Sequence, residues 1–169
     1  MSVDGTDVPI PERGTDWCLY KFRGSGLRYE VALGIKTGDI CWMSGPHQPG
    51  KLNDLEIFRK SLRSWLDPFE RVEADDGYRG ESPFRAKVPT AVLSRPSKAD
   101  AFQKRVQGRH ETINSRLKAY AILHSMYRHD ITQHGYVFLL LLFLYSSPSK
   151  MEIHYSTTDY RCAFDSTMM

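Results

Sequence analysis

Apolar and polar residues alternate in the first part of the chain, a pattern typical of half-buried strands. The clearest run is LRYEVALGI, whose alternate positions are apolar: Leu27, Tyr29, Val31, Leu33 and Ile35. A polar turn at 37–39 leads into a second strand at 40–43, and so short a link predicts an antiparallel hairpin. Upstream, residues 2–10 predict a first strand, which Pro9 and Pro11 close.

Helical spacing begins after a Gly- and Pro-containing loop predicted at 45–51. Asn53, with Glu56 three residues later, has the pattern of a capping box, and Asp67 before Pro68 marks the end of the helix. Apolar residues recur on one face of this helix at spacings of three and four: Leu55, Phe58, Leu62 and Leu66.

A short buried strand is predicted at 71–74, with Asp75 at its C-terminal end, whereas 77–97 indicates no clear element. A long helix is then predicted over about 98–127. Its expected core residues are Ile113, Leu117, Tyr120, Ala121, Met126 and Tyr127. The apolar stretch 136–145 is about half the ~20 residues that a membrane helix needs, which favours a buried helix or strand.

Composition adds few constraints. The 169 residues suit one domain, and a net charge of +3 supports a polyanionic partner only weakly. The three cysteines, Cys18, Cys41 and Cys162, are widely spaced without a CxxC pair, which argues against disulfides or a thiolate zinc site and fits a reducing compartment. The histidines show no zinc spacing, and the N-terminus has no apolar run typical of a signal peptide.

The order of predicted elements indicates an α/β fold, a mixed sheet flanked by helices like the ribonuclease H architecture. In such a sheet the strand before Asp75 lies parallel and next to the first strand. Asp4 and Asp75 are then expected to be neighbours, and Glu111 arrives on the last helix. Asp7, three residues beyond Asp4, is expected on the other face of the sheet.

Carboxylates suit hard divalent cations, and two such ions together clamp the attacking and leaving oxygens of a phosphodiester. Each acid also has a simpler explanation. Asp4 precedes a turn-forming glycine, and Asp75 caps a turn. Glu111 lies on a helix stripe with Lys104 and Lys118, away from the core face, where it faces either a site at the sheet edge or water.

Four motifs stand in order along 4–138, roughly four fifths of the chain: DGTDVPI, the segment from KFRGSG to NDLEIFR, VEADDGYRG and RHETINSRLKAYAIL. They resemble the DDE superfamily endonucleases of PIF/Harbinger-type transposases (DDE transposase family 4). The likenesses are to the first-strand Asp-Gly-Thr signature, the hairpin and loop that end in Asn-Asp, the Ala-Asp-x-Gly-Tyr motif, and the helix with the third acid.

The resemblance implies a ribonuclease H-like catalytic domain at 1–145 that cleaves or joins DNA strands in the nucleus with two Mg²⁺ or Mn²⁺ ions. One ion would activate water or a 3′-hydroxyl, and the other would stabilise the leaving oxygen. The catalytic and metal-binding acids that the resemblance assigns are Asp4, Asp75 and Glu111. Asp76 takes the variable place of its motif, and 146–169 is predicted to be a polar tail.

Basic residues cluster on the last predicted helix: Lys104, Arg105, Arg109, Arg116 and Lys118. Such a cluster either binds DNA phosphates or is a solvated helix face. Sequence readout in this family is expected from an upstream helix-turn-helix region. The expected partners are therefore DNA and either a separate DNA-binding protein or a second copy in a homo-oligomer, and no membrane partner is expected.

The chain departs from the family pattern at both ends. It begins three residues before Asp4, which predicts a truncated first strand, and the likeness stops after Phe138. An inactive, domesticated or relic module that binds DNA or protein is therefore the alternative. A weaker alternative is a haloacid dehalogenase-like phosphatase, because Asp-Gly-Thr at 4–6 resembles part of that family's Asp-x-Asp-Gly-Thr motif. Ser2, however, stands where the nucleophilic aspartate of that motif would be. Asn53 and Asp54 fit helix capping better than metal binding.

Overall fold

The computed structural model describes residues 1–21, 23–89 and 98–145, together with the backbone of 154–156. The strands are β1 (Ser2–Pro9), β2 (Cys18–Leu19), β3 (Gly24–Leu33), β4 (Ile40–His47), β5 (Val72–Glu73), β6 (Ala86–Lys87) and β7 (His154–Ser156). The helices are α1 (Asp54–Lys60), α2 (Lys98–Leu117), α3 (Ala121–His124) and α4 (His134–Tyr145), with 3₁₀ turns between several of these elements. β7 lies within the predicted tail, and the rest of that segment is outside the described residues.

One mixed sheet runs in the order β6-β5-β1-β3-β4-β7, and β2 pairs with the start of β3. β1, β3 and β4 are antiparallel, whereas β5 and β6 continue the sheet from β1 as parallel strands. The predictions of a mixed α/β sheet, of an antiparallel hairpin and of a parallel β1–β5 pair are confirmed. Residues 45–47, predicted as loop, instead extend β4, because His47 still pairs with Arg28.

β1 is paired along its whole length. It runs antiparallel to β3 from Ser2 opposite Leu33 to Pro9 opposite Gly26, and Asp4 stands opposite Val31. Asp4 therefore lies within a continuous ladder of backbone pairs.

Two apolar clusters pack on the two faces of the sheet. Under α2, α3 and α4 the buried residues include Val8, Leu27, Tyr29, Val31, Leu117, Leu123, Tyr127, Phe138 and Leu142. On the face of α1 they include Val3, Ala32, Trp42, Phe58, Leu62 and Tyr78. The Tyr29 and Phe138 rings are stacked at 3.9 Å between centroids, which ties β3 to α4.

The capping box of α1 is confirmed. The Asn53 side chain accepts the Glu56 N–H and the Glu56 carboxylate accepts the Asn53 N–H, both at 2.9 Å. The helix ends at Lys60 rather than near residue 66, because Ser61 leaves helical geometry and donates its hydroxyl to Ile57 O. A 3₁₀ turn at 62–65 then continues the apolar face.

The prediction of one long helix over 98–127 is wrong in its last third. α2 ends at Leu117 and α3 is a separate short helix. Tyr120, Ala121 and Met126 are consequently exposed rather than in the core, whereas Ile113, Leu117 and Tyr127 are buried as predicted. The break follows from a long-range contact, since the Tyr127 N–H donates to Pro9 O and returns the chain to β1.

The apolar stretch 136–145 forms α4, with Phe138 and Leu142 buried and Leu140 and Leu144 exposed. No helix in the described part of the chain has the length and apolar character needed to cross a membrane. Cys18 and Cys41 are free thiols, and Cys162 lies outside the described residues.

Candidate functional site

A cavity of about 250 Å³ opens between the sheet and α2. β1, β5 with the two residues that follow it, and α2 form its walls. Asp4, Asp75 and Glu111 all line it. The fold thus brings the three sequence-predicted acids to one cavity, although they come from a strand, a strand end and a helix.

Asp4 and Asp75 are neighbours because β1 and β5 are parallel, with Ser2 opposite Glu73. Asp4 Oδ1 accepts the N–H of Gly5 at 2.8 Å. Asp75 Oδ1 accepts the N–H of Gly77 at 2.9 Å and so caps the 3₁₀ turn that follows, as its simpler explanation predicted. Burial, and next the charge of Asp75, raise the pKa of Asp4 to about 6. The two carboxylates therefore repel each other in a partly dehydrated space.

Glu111 is exposed on α2 and borders the same cavity, so its distance from the core face, expected from helical spacing, is confirmed. Buried polar contacts fix this part of α2 against the strands. Gln103 Nε2 donates to Ala74 O and to Lys87 O, each at 3.2 Å. His110 Nε2 lies 2.9 Å from Ser2 Oγ, and burial lowers the pKa of His110 to about 4, so the ring is neutral at pH 7.

Gln103 and His110 were missed at the sequence level. The buried positions of α2 follow helical spacing: Gln103, Val106, His110, Ile113 and Leu117. A search for apolar residues alone overlooks this face because two of its five positions are polar. The spacing of three and four was the available signal.

Glu73 is a further acid that sequence reasoning missed. It also lines the cavity, and Lys87 Nζ lies 3.2 Å from its Oε1. Its Oε2 is buried without a hydrogen-bond partner. A buried carboxylate oxygen is costly unless a hydrogen bond or a cation satisfies it. A polar residue within a short buried strand was the only available signal.

The donor set fits a hard divalent cation, because four carboxylates line one cavity and one carries an unpartnered buried oxygen. Among these carboxylates, Asp4, Asp75 and Glu111 are the sequence-predicted ligands. Within the described ranges, however, no three Asp, Glu, His or Cys side chains are gathered in an arrangement that could hold a metal ion. The chemistry of the ligands, rather than a preformed geometry, supports the fit.

Other acids lie outside the cavity. Asp7 is on the opposite face of β1, as predicted, where its carboxylate binds Arg28 at 2.8 Å. Arg28 Nη1 also lies 3.1 Å from Asp54 Oδ1, so Asp54 forms an ion pair whereas Asn53 alone supplies the side-chain cap. Asp76 is exposed and pairs with Arg79.

The five predicted DNA-binding residues fall into different environments. Lys104 and Arg105 are exposed. Arg109 donates to Ile35 O, and Arg116 donates to the Tyr145 hydroxyl at 2.7 Å. Lys118 is half-buried, and burial and nearby Lys21 lower its pKa. Lys104, Arg105 and Arg116 are thus exposed, whereas Arg109 and Arg116 also hold neighbouring segments together.

Comparisons with protein-family models, with curated proteins and with solved structures found no significant match to this chain.

Proposed function

We propose that this chain is a divalent-metal-dependent endonuclease or strand-transfer domain of the DDE transposase type, acting on the phosphodiesters of DNA. One observation carries the proposal. Asp4, Asp75 and Glu111, which the ordered motifs single out, line the same cavity. Neither the composition nor the spacing along the chain requires these residues to lie close together, because they belong to separate elements.

A ribonuclease H-like fold is part of the proposal. The antiparallel strands β1, β3 and β4 continue on the other side of β1 as the parallel strands β5 and β6. Helices pack on both faces. This mixed arrangement is consistent with a ribonuclease H-like sheet, and it explains how the first two acids become neighbours.

In this proposal Asp4, Asp75 and Glu111 would hold Mg²⁺ or Mn²⁺, which would supply a nucleophile at neutral pH and charge stabilisation of the leaving oxygen. The N–H groups of Gly5 and Gly77 orient the first two carboxylates. Neutral His110, together with Gln103, holds α2 on the strands and thereby sets the position of Glu111. Exposed Lys104 and Arg105 offer positive charge to a DNA backbone.

The test is nicking of supercoiled plasmid DNA in Mn²⁺. We expect Asp75→Ala and Glu111→Ala to lower the nicking rate by about a hundredfold or more, because each removes charge that the reaction needs. Asp76→Ala is the matched control, since Asp76 is adjacent but exposed and paired with Arg79. Equal nicking by the original chain and Asp75→Ala would contradict the proposal.

A second candidate is a DNA-binding module without catalysis. It is favoured by the exposed pair Lys104 and Arg105, which lies outside the cavity lining and so needs no active site. Salt-sensitive DNA binding by a chain that nicks no plasmid in Mg²⁺ or Mn²⁺ would establish this candidate in place of the nuclease.

A further inference from the structure

The first two acids of the cavity are held in the same way. Each places one carboxylate oxygen on the N–H of a nearby glycine: Asp4 on Gly5 and Asp75 on Gly77. Any displacement of these glycines moves the hydrogen-bond donor that orients the acid. The position of the two glycines therefore determines the orientation of both carboxylates.

The carboxylate of a third aspartate, Asp54, lies close to both glycines. A Cβ built on Gly5 would lie 3.1 Å from Asp54 Oδ1, and one built on Gly77 would lie 3.6 Å from Asp54 Oδ2. The two oxygens of one carboxylate thus each lie close to one of the glycines. Asp54 itself does not line the cavity.

Asp54 is fixed from its own side. Arg28 Nη1 lies 3.1 Å from Asp54 Oδ1, and Arg28 Nε lies 2.8 Å from Asp7 Oδ1. Asp54 is also the first residue of α1, directly after the Asn53 capping box. An ion pair and a capped helix start together restrict where this carboxylate can move.

From these distances we propose that Asp54 is a positioning residue, which holds Gly5 and Gly77 in place and thereby orients Asp4 and Asp75 toward a shared cation. The inference rests on the proposed function. It assigns to the Asn-Asp pair at the start of α1 two separate tasks: Asn53 caps the helix, and Asp54 supports the cavity. This role depends on the shape of the Asp54 side chain rather than on its charge, because it rests on how closely the side chain approaches the two glycines.

The test measures Mn²⁺ affinity and plasmid nicking in three variants. Electron paramagnetic resonance of free Mn²⁺ gives the affinity, and thermal unfolding checks that each variant is folded. Asp54→Ala removes the contact with both glycines, and we expect about tenfold weaker Mn²⁺ binding and a lower kcat with unchanged KM for DNA. Asp54→Asn keeps the shape without the charge, and we expect affinity within about threefold of the original chain. Asp16→Ala is the matched control, because it removes another ion-paired aspartate, at the surface beside Lys51.

Unchanged Mn²⁺ affinity in Asp54→Ala would overturn the inference and leave the proposed function standing. Equal damage in Asp54→Asn and Asp54→Ala would also overturn it, because charge and not position would then be responsible. If Asp54→Ala does not fold, Gly5→Ala provides the test: its Cβ crowds Asp54 Oδ1, and we expect severalfold weaker binding, with unchanged binding contradicting the inference. An original chain that neither binds Mn²⁺ nor nicks DNA overturns the proposed function and this inference together.

Discussion

Asp4 in β1 and Asp75 just after β5 lie side by side, and burial together with the charge of Asp75 raises the pKa of Asp4 to about 6. The sheet therefore holds two like charges next to each other near the cavity. Such an arrangement costs folding free energy at neutral pH, and a bound cation would offset that cost.

Replacing Asp4 by Asn should stabilise the metal-free protein at pH 7. A folded-state pKa of about 6, above the ordinary value of 3.8, means that the stabilising contribution of Asp4 is complete below pH 4 and is lost as the pH rises through 6. We expect Asp4→Asn to raise the free energy of unfolding by up to about 3 kcal/mol at pH 7 and by little at pH 3.5. Urea unfolding in chelator at both pH values measures this, and a pH-independent difference would contradict it.

Burial of Glu30, on the other face of the sheet, predicts a second pH dependence of the free energy of unfolding. It is buried and accepts a hydrogen bond from the Tyr78 hydroxyl at 2.9 Å, and its pKa is raised to about 8 chiefly by burial. Its stabilising contribution is therefore present below about pH 4.5 and lost as the pH rises through 8. We expect Glu30→Gln to be more stable than the original chain at pH 9 by up to about 5 kcal/mol, and within about 1 kcal/mol of it at pH 5.

The control for that experiment is Glu12→Gln, at an exposed position near the N-terminus. It reports the effect of removing one surface charge. If Glu12→Gln and Glu30→Gln change the thermal midpoint equally at pH 9, burial of Glu30 does not explain the effect.

DNA binding should depend most on the exposed basic pair of α2. We expect the double variant Lys104→Ala/Arg105→Ala to reduce the slope of log affinity against log salt concentration by about 2, because each phosphate contact contributes about 1. Fluorescence anisotropy with duplex DNA over a salt series measures the slope. Lys36→Ala/Lys51→Ala removes two positive charges elsewhere, and an equal loss of slope there would show that α2 has no special part.

Stacking of the Phe138 ring on Tyr29 should contribute much of the free energy that holds α4 against the sheet. Phe138 is 1% exposed, whereas Phe143 on the same helix is 47% exposed. We expect Phe138→Ala to lower the free energy of unfolding by about 3–5 kcal/mol and Phe143→Ala to lower it by about 1 kcal/mol or less. Urea unfolding compares these two identical substitutions, and similar losses would show that α4 does not pack as described.

Local patterns predicted the parts of the fold that depend on local interactions. The alternation in LRYEVALGI places β3, and the spacing of Asn53 and Glu56 places the start of α1. Apolar alternation, the short hairpin turn and helix capping involve residues close in the chain, so their signals are present in the sequence alone. Element ends were less predictable, because Ser61 and the Tyr127–Pro9 hydrogen bond act through geometry and distant contacts.

The assignment of the three acids to catalysis stays a prediction, although all three line one cavity. Sequence reasoning could select Asp4, Asp75 and Glu111 because each belongs to a recognisable motif. It could not select Glu73 or His110, whose importance comes from burial beside those acids. Burial is a property of the assembled molecule.

The sequence by itself thus determined the mixed α/β class, the hairpin, the capped helix and the candidate acids, because periodicity, capping and motif order are written in neighbouring residues. Only the tertiary structure decided that burial beside Asp75 raises the pKa of Asp4, and that the Asp54 carboxylate lies close to Gly5 and Gly77. These relationships join residues far apart in the chain, and their energies depend on dehydration and distance, which exist only once the sheet and helices have packed.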